Sequence, residues 1–204
     1  DSFTFRVIDS RGITATGTVS ISVNPPGSTT TIMVNSTLHE NPFANNGNCT
    51  LGEAIHAANS DAAVDGCAAG QGADTIVIPA GVYQLSGVAP GERDYGLPRI
   101  TSEIGIRGAG VGQTTIEATV SDLGAFYNFG SLTIDSLTIS NINVGLFAGM
   151  QGAAIRNVGQ VVIYNSRFEL NTGRRGAAIY TENPNRTIPA PGVKVFNSEF
   201  LNNT

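Results

Sequence analysis

Seven carboxylates lie beyond residue 100: Glu103, Glu117, Asp122, Asp135, Glu169, Glu182 and Glu199. Hydrolysis of a glycosidic bond needs two carboxylates facing one cleft, roughly 5–10 Å apart. Glu169 follows Phe168, whereas Glu199 precedes Phe200, so these two do not hold equivalent positions. Elimination chemistry needs a base and commonly Ca²⁺ held by several aspartates. Arg174, Arg175 and Lys194 offer basic groups, but no acidic cluster accompanies them. The Arg174–Arg175 pair reads as a solvated turn, and its functional reading is a point contact for an acidic glycan. Cys49 and Cys67 have no further cysteine beside them, and His39 and His56 lack ligand spacing, so no metal site is expected. An even cysteine count in a surface-type sequence favours a Cys49–Cys67 disulfide, with two buried free thiols as the alternative.

The elements that would position these groups follow from local pattern. Thr50 at an N-cap with Glu53 three residues on is a capping box. Leu51, Ala54, Ile55 and Ala58 then fall on one helical face, and Asn59-Ser60-Asp61 ends the helix. Asp74–Ile78 and Val82–Leu85 read as strands joined by a tight Pro79-Ala80-Gly81 corner, and Gly87–Pro98 as a loop. From Ile100 onward an internal repeat decides the fold. Ile104–Arg107, Leu132–Asp135, Val161–Tyr164 and Val193–Phe196 align at intervals of 28, 29 and 32 residues, the last lengthened by a Pro-rich insertion over Asn183–Pro191. Asn165-Ser166-Arg167-Phe168 recurs as Asn197-Ser198-Glu199-Phe200, and Gly152-Ala153-Ala154-Ile155 as Gly176-Ala177-Ala178-Ile179. A repeat of ~24–32 residues with three short strands is one coil of a parallel β-helix. Ile134, Ile139, Ile163, Phe168, Val195 and Phe200 are its expected inward residues. Asn165 and Asn197, with Asn141 or Asn143 loosely corresponding, are expected at turns, their amides laddered along the axis.

Cys49-Thr50-Leu51-Gly52-Glu53-Ala54-Ile55, with Asp74-Thr75-Ile76 and Pro79–Tyr83, resembles the CSLREA domain. That domain opens right-handed parallel β-helices of the pectin-lyase-like fold in secreted and surface proteins of bacteria. Thr50 replaces the motif's Ser, and Gly52 its Arg. The Gly-Ala-Ala-Ile and Phe-x-x-Asn repeats are similar to those of polymorphic outer membrane proteins. Residues 1–24 alternate around an Asp9–Gly12 turn and resemble the last hairpin of a cadherin-like or immunoglobulin-like adhesin module. Such folds also host polysaccharide lyases and hydrolases; polygalacturonase-type sites carry Asp-Asp and His-Gly pairs, and neither occurs here. Gly70-Gln71-Gly72-Ala73-Asp74 resembles half of a calcium-binding Gly-x-Gly-x-Asp repeat. Calcium is therefore the one ion with any pattern, against the plainer reading of a Gly-rich turn.

The expected fold is an all-β, right-handed, single-stranded parallel β-helix with a short N-terminal capping helix. Its parts are a truncated sandwich hairpin over 1–24, a linker over 25–31, a cap and first coil over 32–99, and coils over 100–204. The chain reads as an excerpt of a longer protein, monomeric within it. A net charge of −5 with pI about 4.9 argues against nucleic acid or an anionic membrane as partner. No apolar run approaches the ~18 residues of a membrane span. Three functions compete: a non-enzymatic secreted or surface protein for adhesion or glycan binding, a polysaccharide lyase or hydrolase whose site lies in coils beyond Thr204 or in the Gly87–Arg99 loop, and a structural spacer. No cofactor and no catalytic residue is assigned.

Overall fold

A computed structural model describes residues 2–20, 29–145, 151–183 and 190–204. The Pro25–Pro26–Gly27 part of the expected linker, Ile21 and Val23, the centre of the Pro-rich insertion, and the side chains of Phe3, Phe5 and Val19 lie outside the described residues. Strands β1 (Ser2–Ile8) and β2 (Thr14–Ser20) form an antiparallel hairpin. Its turn is set by Asp9, whose Oδ1 accepts the backbone N–H groups of Arg11 and Ile13 at 2.9 and 2.8 Å.

Strand β3 (Thr29–Met33) precedes helix α1 (Leu51–Ser60). The first coil holds β4 (Ala73–Val77) and β5 (Gly81–Leu85). The second holds β6 (Glu103–Arg107), β7 (Thr114–Ala118) and β8 (Phe126–Asn128). The third holds β9 (Ser131–Asp135), β10 (Thr138–Ser140) and β11 (Ile155–Asn157). The fourth holds β12 (Gln160–Tyr164), β13 (Arg167–Glu169) and β14 (Ile179–Thr181), and β15 (Gly192–Phe196) and β16 (Glu199–Leu201) stack on it. Three parallel sheets result: a long one (β3-β4-β6-β9-β12-β15), a middle one (β5-β7-β10-β13-β16) and a short one (β8-β11-β14). The chain is a parallel β-solenoid of about four turns with one short helix before its coils.

Alternation along each strand sends every second side chain inward. Ile106, Ile134, Ile163 and Val195 stack in one file, and Ile116, Ile139, Phe168 and Phe200 in another. The expected inward residues hold these positions. Val195 and Phe200 are nevertheless 43% and 42% exposed, because they lie in the last strands described. The asparagine correspondence needs correcting. The residue in register with Asn165 and Asn197 is Ser136, and all three have left-handed φ: 47° at Asn165, 48° at Asn197 and 58° at Ser136. Two residues suffice to link β9 to β10, so the corner falls immediately after the strand. Asn141 belongs to the next corner, with Leu170 and Asn202, and Asn143 pairs with Thr172. The amide ladder itself forms: Asn197 Nδ2 donates to Asn165 Oδ1 at 2.7 Å.

Helix α1 packs Leu51, Ala54, Ile55 and Ala58 inward, against β3, β4 and β6 at the β3 end of the long sheet. Its capping box is reciprocal: Glu53 N–H donates to Thr50 Oγ1 at 3.3 Å, and Thr50 N–H to Glu53 Oε2 at 3.0 Å. Cys49 and Cys67 form a disulfide that ties the helix start to the loop beyond its end. Glu53 is fully buried, and its Oε1 meets no described hydrogen-bond partner. Burial raises its pKa most, the Thr50 bonds pull it back, and the charges of Glu40 and Asp65 add to the rise. With a folded pKa above its ordinary value, stability from this group falls as pH rises from about 4.5 through the folded value. Glu53→Gln keeps the cap acceptor and removes that fall. Thermal scans should show the variant gaining on the parent as pH rises above about 4.5; an unchanged difference would refute the assignment.

Candidate functional site

The third strand of the second, third and fourth coils is three residues long, so it offers one outward side chain per coil. In register these are Tyr127, Arg156 and Tyr180. Ile100 bridges to Asn128, which places Arg99 one coil before Tyr127 in the same file. The short-sheet flank therefore carries Arg99, Tyr127, Arg156 and Tyr180 in alternation, about 4.8 Å apart along the axis.

Arg99, Tyr127 and Arg156 are each fixed from below. Asn59 at the end of α1 donates to the Arg99 carbonyl at 2.7 Å, and its Oδ1 accepts Thr101 N–H at 2.8 Å. Asn128 and Asn157, both fully buried, brace the turns after β8 and β11. Their Oδ1 atoms accept the N–H groups of Gly130 and Gly159 at 3.1 Å, and Asn128 Nδ2 donates to Asn157 Oδ1 at 2.8 Å. The 87–98 loop folds back so that Tyr95 bridges to Gly124. A Cβ on Gly124 would lie 2.5 Å from the Tyr95 ring, so only glycine lets that ring lie flat there.

Around Tyr127, the side chains of Tyr95, Arg99, Phe129 and Arg156 form one cluster. The rings of Tyr95 and Tyr127 stack at 5.0 Å, and those of Tyr127 and Phe129 meet at 4.5 Å. The Arg99 guanidinium lies 5.1 Å from the Tyr127 centroid and 4.9 Å from that of Phe129, and Arg156 lies 4.5 Å from Tyr127. Cation–π contacts of this kind contribute about 0.5–2 kcal/mol each, more as water is excluded. Glu92 pairs with Arg99, and Glu182 with Arg156. Burial pushes the Tyr95 and Tyr127 phenols up, so both stay protonated near neutral pH. Burial works against the Arg156 charge, but the Glu182 hydrogen bond and neighbouring charges outweigh it and keep the guanidinium cationic. The cluster has donors, acceptors and ring surface, and no nucleophile paired with a base. It can bind.

The other candidate residues named from the sequence disperse once the chain is folded. Arg174 and Arg175 are exposed in the β13–β14 loop, on the segment leading into Tyr180, with no ion pair among the described residues. Glu199 pairs with Arg167 at 2.9 Å, Asp135 with Arg107 at 3.6 Å, and Glu117 accepts from Gln84 at 2.9 Å. His39 is a brace: one ring nitrogen lies 2.6 Å from the Gly96 carbonyl, the other accepts Ser86 N–H at 3.2 Å. Asp74 Oδ1 accepts Gln71 N–H at 2.8 Å, which closes the Gly-rich turn entering β4. No group of three or more His, Cys, Asp or Glu able to hold a metal occurs among the described residues. No helix there is long and apolar enough to cross a membrane. The aromatic–arginine file was not among the features expected from the sequence. Its signal was available in Asn128-Phe129-Gly130 and Asn157-Val158-Gly159, 29 residues apart, each preceded by the outward residue.

Fold and cluster together define a parallel β-solenoid with a polar-aromatic flank. No protein-family model, curated protein or solved structure matches the chain. The CSLREA and adhesin resemblances rest on their motif residues alone.

Proposed function

We propose that this chain belongs to a non-enzymatic secreted or cell-surface protein whose solenoid binds glycan chains along the β8-β11-β14 flank. The observation that carries this is the alternating file Arg99, Tyr127, Arg156, Tyr180, with Glu92 and Glu182 beside it. Extended glycans repeat along their length as coils do, and they are held by ring faces packed on aromatics and by hydroxyls bonded to Arg and Glu. A hydrolytic reading would set Glu92 and Glu182 as the acid pair. Each of them is instead engaged by an arginine, Glu92 by Arg99 and Glu182 by Arg156. The CSLREA-type motif and the adhesin-like hairpin support a secreted or surface setting.

The test is retention on a panel of polysaccharides, with reducing ends and unsaturated products followed with and without Ca²⁺. The expected result is retention without turnover. Tyr127→Ala and Arg156→Ala should each weaken retention about tenfold, the equivalent of roughly 1.4 kcal/mol of lost cation–π and hydrogen-bond contact. Turnover would overturn the non-enzymatic reading, and variants that bind like the parent would overturn the site.

A further inference from the structure

Within the file itself, outside which Arg174 and Arg175 lie, each arginine is balanced by a carboxylate. Glu92 Oε2 accepts from Arg99 Nη2 at 3.3 Å, and its Oε1 accepts the Arg99 backbone N–H at 3.2 Å. Glu182 Oε1 accepts from Arg156 Nε at 2.6 Å and also meets Nη2. The carboxylates are sheltered, with side chains only 9% and 19% exposed, against 44% and 26% for Arg99 and Arg156. An anion approaching either guanidinium must therefore also approach a carboxylate that water screens poorly. Like charges at such separations repel, and misplaced charge is a principal means of rejecting a wrong partner.

What each pair offers is an N–H donor beside an oxygen acceptor. A guanidinium has five donors and a carboxylate about four acceptor positions. Arg156 spends two donors on Glu182, and among the described residues no donor engages Glu182 Oε2. A sugar hydroxyl both donates and accepts, so two neighbouring hydroxyls complement such a pair without bringing charge. Phe129, 40% exposed beside the file, offers apolar surface for the C–H face of a ring.

On the glycan-binding reading above, we infer that the flank selects uncharged glycans, and that Glu92 and Glu182 are the residues that exclude polyuronates. Removing one carboxylate unmasks its arginine. Glu182→Gln keeps the side-chain volume and leaves Arg156 as an uncompensated cation; Glu92→Gln does the same for Arg99.

Affinity electrophoresis of the whole chain through gels holding a neutral β-glucan, a mannan, a neutral xylan or polygalacturonate tests this directly. At low salt and at about 1 M salt, where the Debye length shrinks to about 3 Å, the parent should be slowed by a neutral polysaccharide to the same degree and not by polygalacturonate. Glu182→Gln or Glu92→Gln should gain polygalacturonate retention by about tenfold at low salt, lost at high salt. Parent retention on polygalacturonate that salt abolishes would overturn the charge-selection inference while leaving glycan binding in place. Neutral retention with no gain in either folded variant would remove the two carboxylates as the selecting groups. Retention on neither class would overturn the glycan-binding reading itself.

Discussion

Asn157→Ala should destabilise the solenoid by about 3–5 kcal/mol, although its side chain touches no surface. Asn157 is fully buried. Its Oδ1 accepts Gly159 N–H at 3.1 Å and Asn128 Nδ2 at 2.8 Å; its Nδ2 donates to the carbonyls of Gly159 and Gly192 at 3.1 and 3.2 Å. One amide thus fills its whole hydrogen-bonding capacity and joins the corners that follow β8, β11 and β14. Alanine strands several of these partners, each costing about 1–3 kcal/mol when buried without a substitute, and it leaves a void as well. Asn157→Asp should fail similarly, because its carboxylate would face two carbonyl oxygens. Denaturant titration is the measurement, with hydrogen exchange to locate the loss around β8, β11 and the Gly192 turn. A change below about 1 kcal/mol would mean that the ladder is decoration.

Cys49→Ala with Cys67→Ala should cost about 3 kcal/mol, the loop-closure figure for two cysteines 18 residues apart. For a chain of this size that is a fall in melting temperature of roughly 6–12 °C. The loss should be local first. The bond holds the 61–69 loop against the residue that precedes the Thr50 cap, and contacts in a solenoid run mainly between neighbouring coils. Hydrogen exchange should therefore rise in α1 and the loop before it rises in β12 and β13. Reduction with a thiol should reproduce the effect in the parent and do nothing further to the double variant. An unchanged melting temperature in both would show that the capping box and core packing alone hold the helix.

How much of this was legible in the sequence depends on how periodic the signal was. The long-sheet strands repeat a strong inward pattern, so Ile104, Leu132, Val161 and Val193 align by inspection and fall in register. The α1 cap was legible because Thr50 and Glu53 carry a local rule that tertiary packing did not override. The corner asparagines were only partly legible. Left-handed φ is tolerated by Ser136 and even Leu170 here, so residue type alone does not mark the turn. The flank was illegible for a different reason. A three-residue strand has one outward position, too short for an alternation to register, and its partners Tyr95 and Glu92 come from a loop of another coil. Arg174 and Arg175, adjacent and conspicuous in sequence, belong to the loop that leads into the file rather than to the file itself.

Glycan binding is proposed here at a particular place, the short-sheet flank. The long sheet offers a rival, since Tyr164 and Phe196 stack outward at 5.1 Å and are 39% and 48% exposed. Hydroxyl-radical footprinting of the whole chain, with and without the best-retained polysaccharide, separates the two. Protection at Tyr127, Phe129 and Tyr180 with Tyr164 and Phe196 unchanged is the result expected here. Protection at Tyr164 and Phe196, with the Tyr127 cluster as reactive as before, would contradict it.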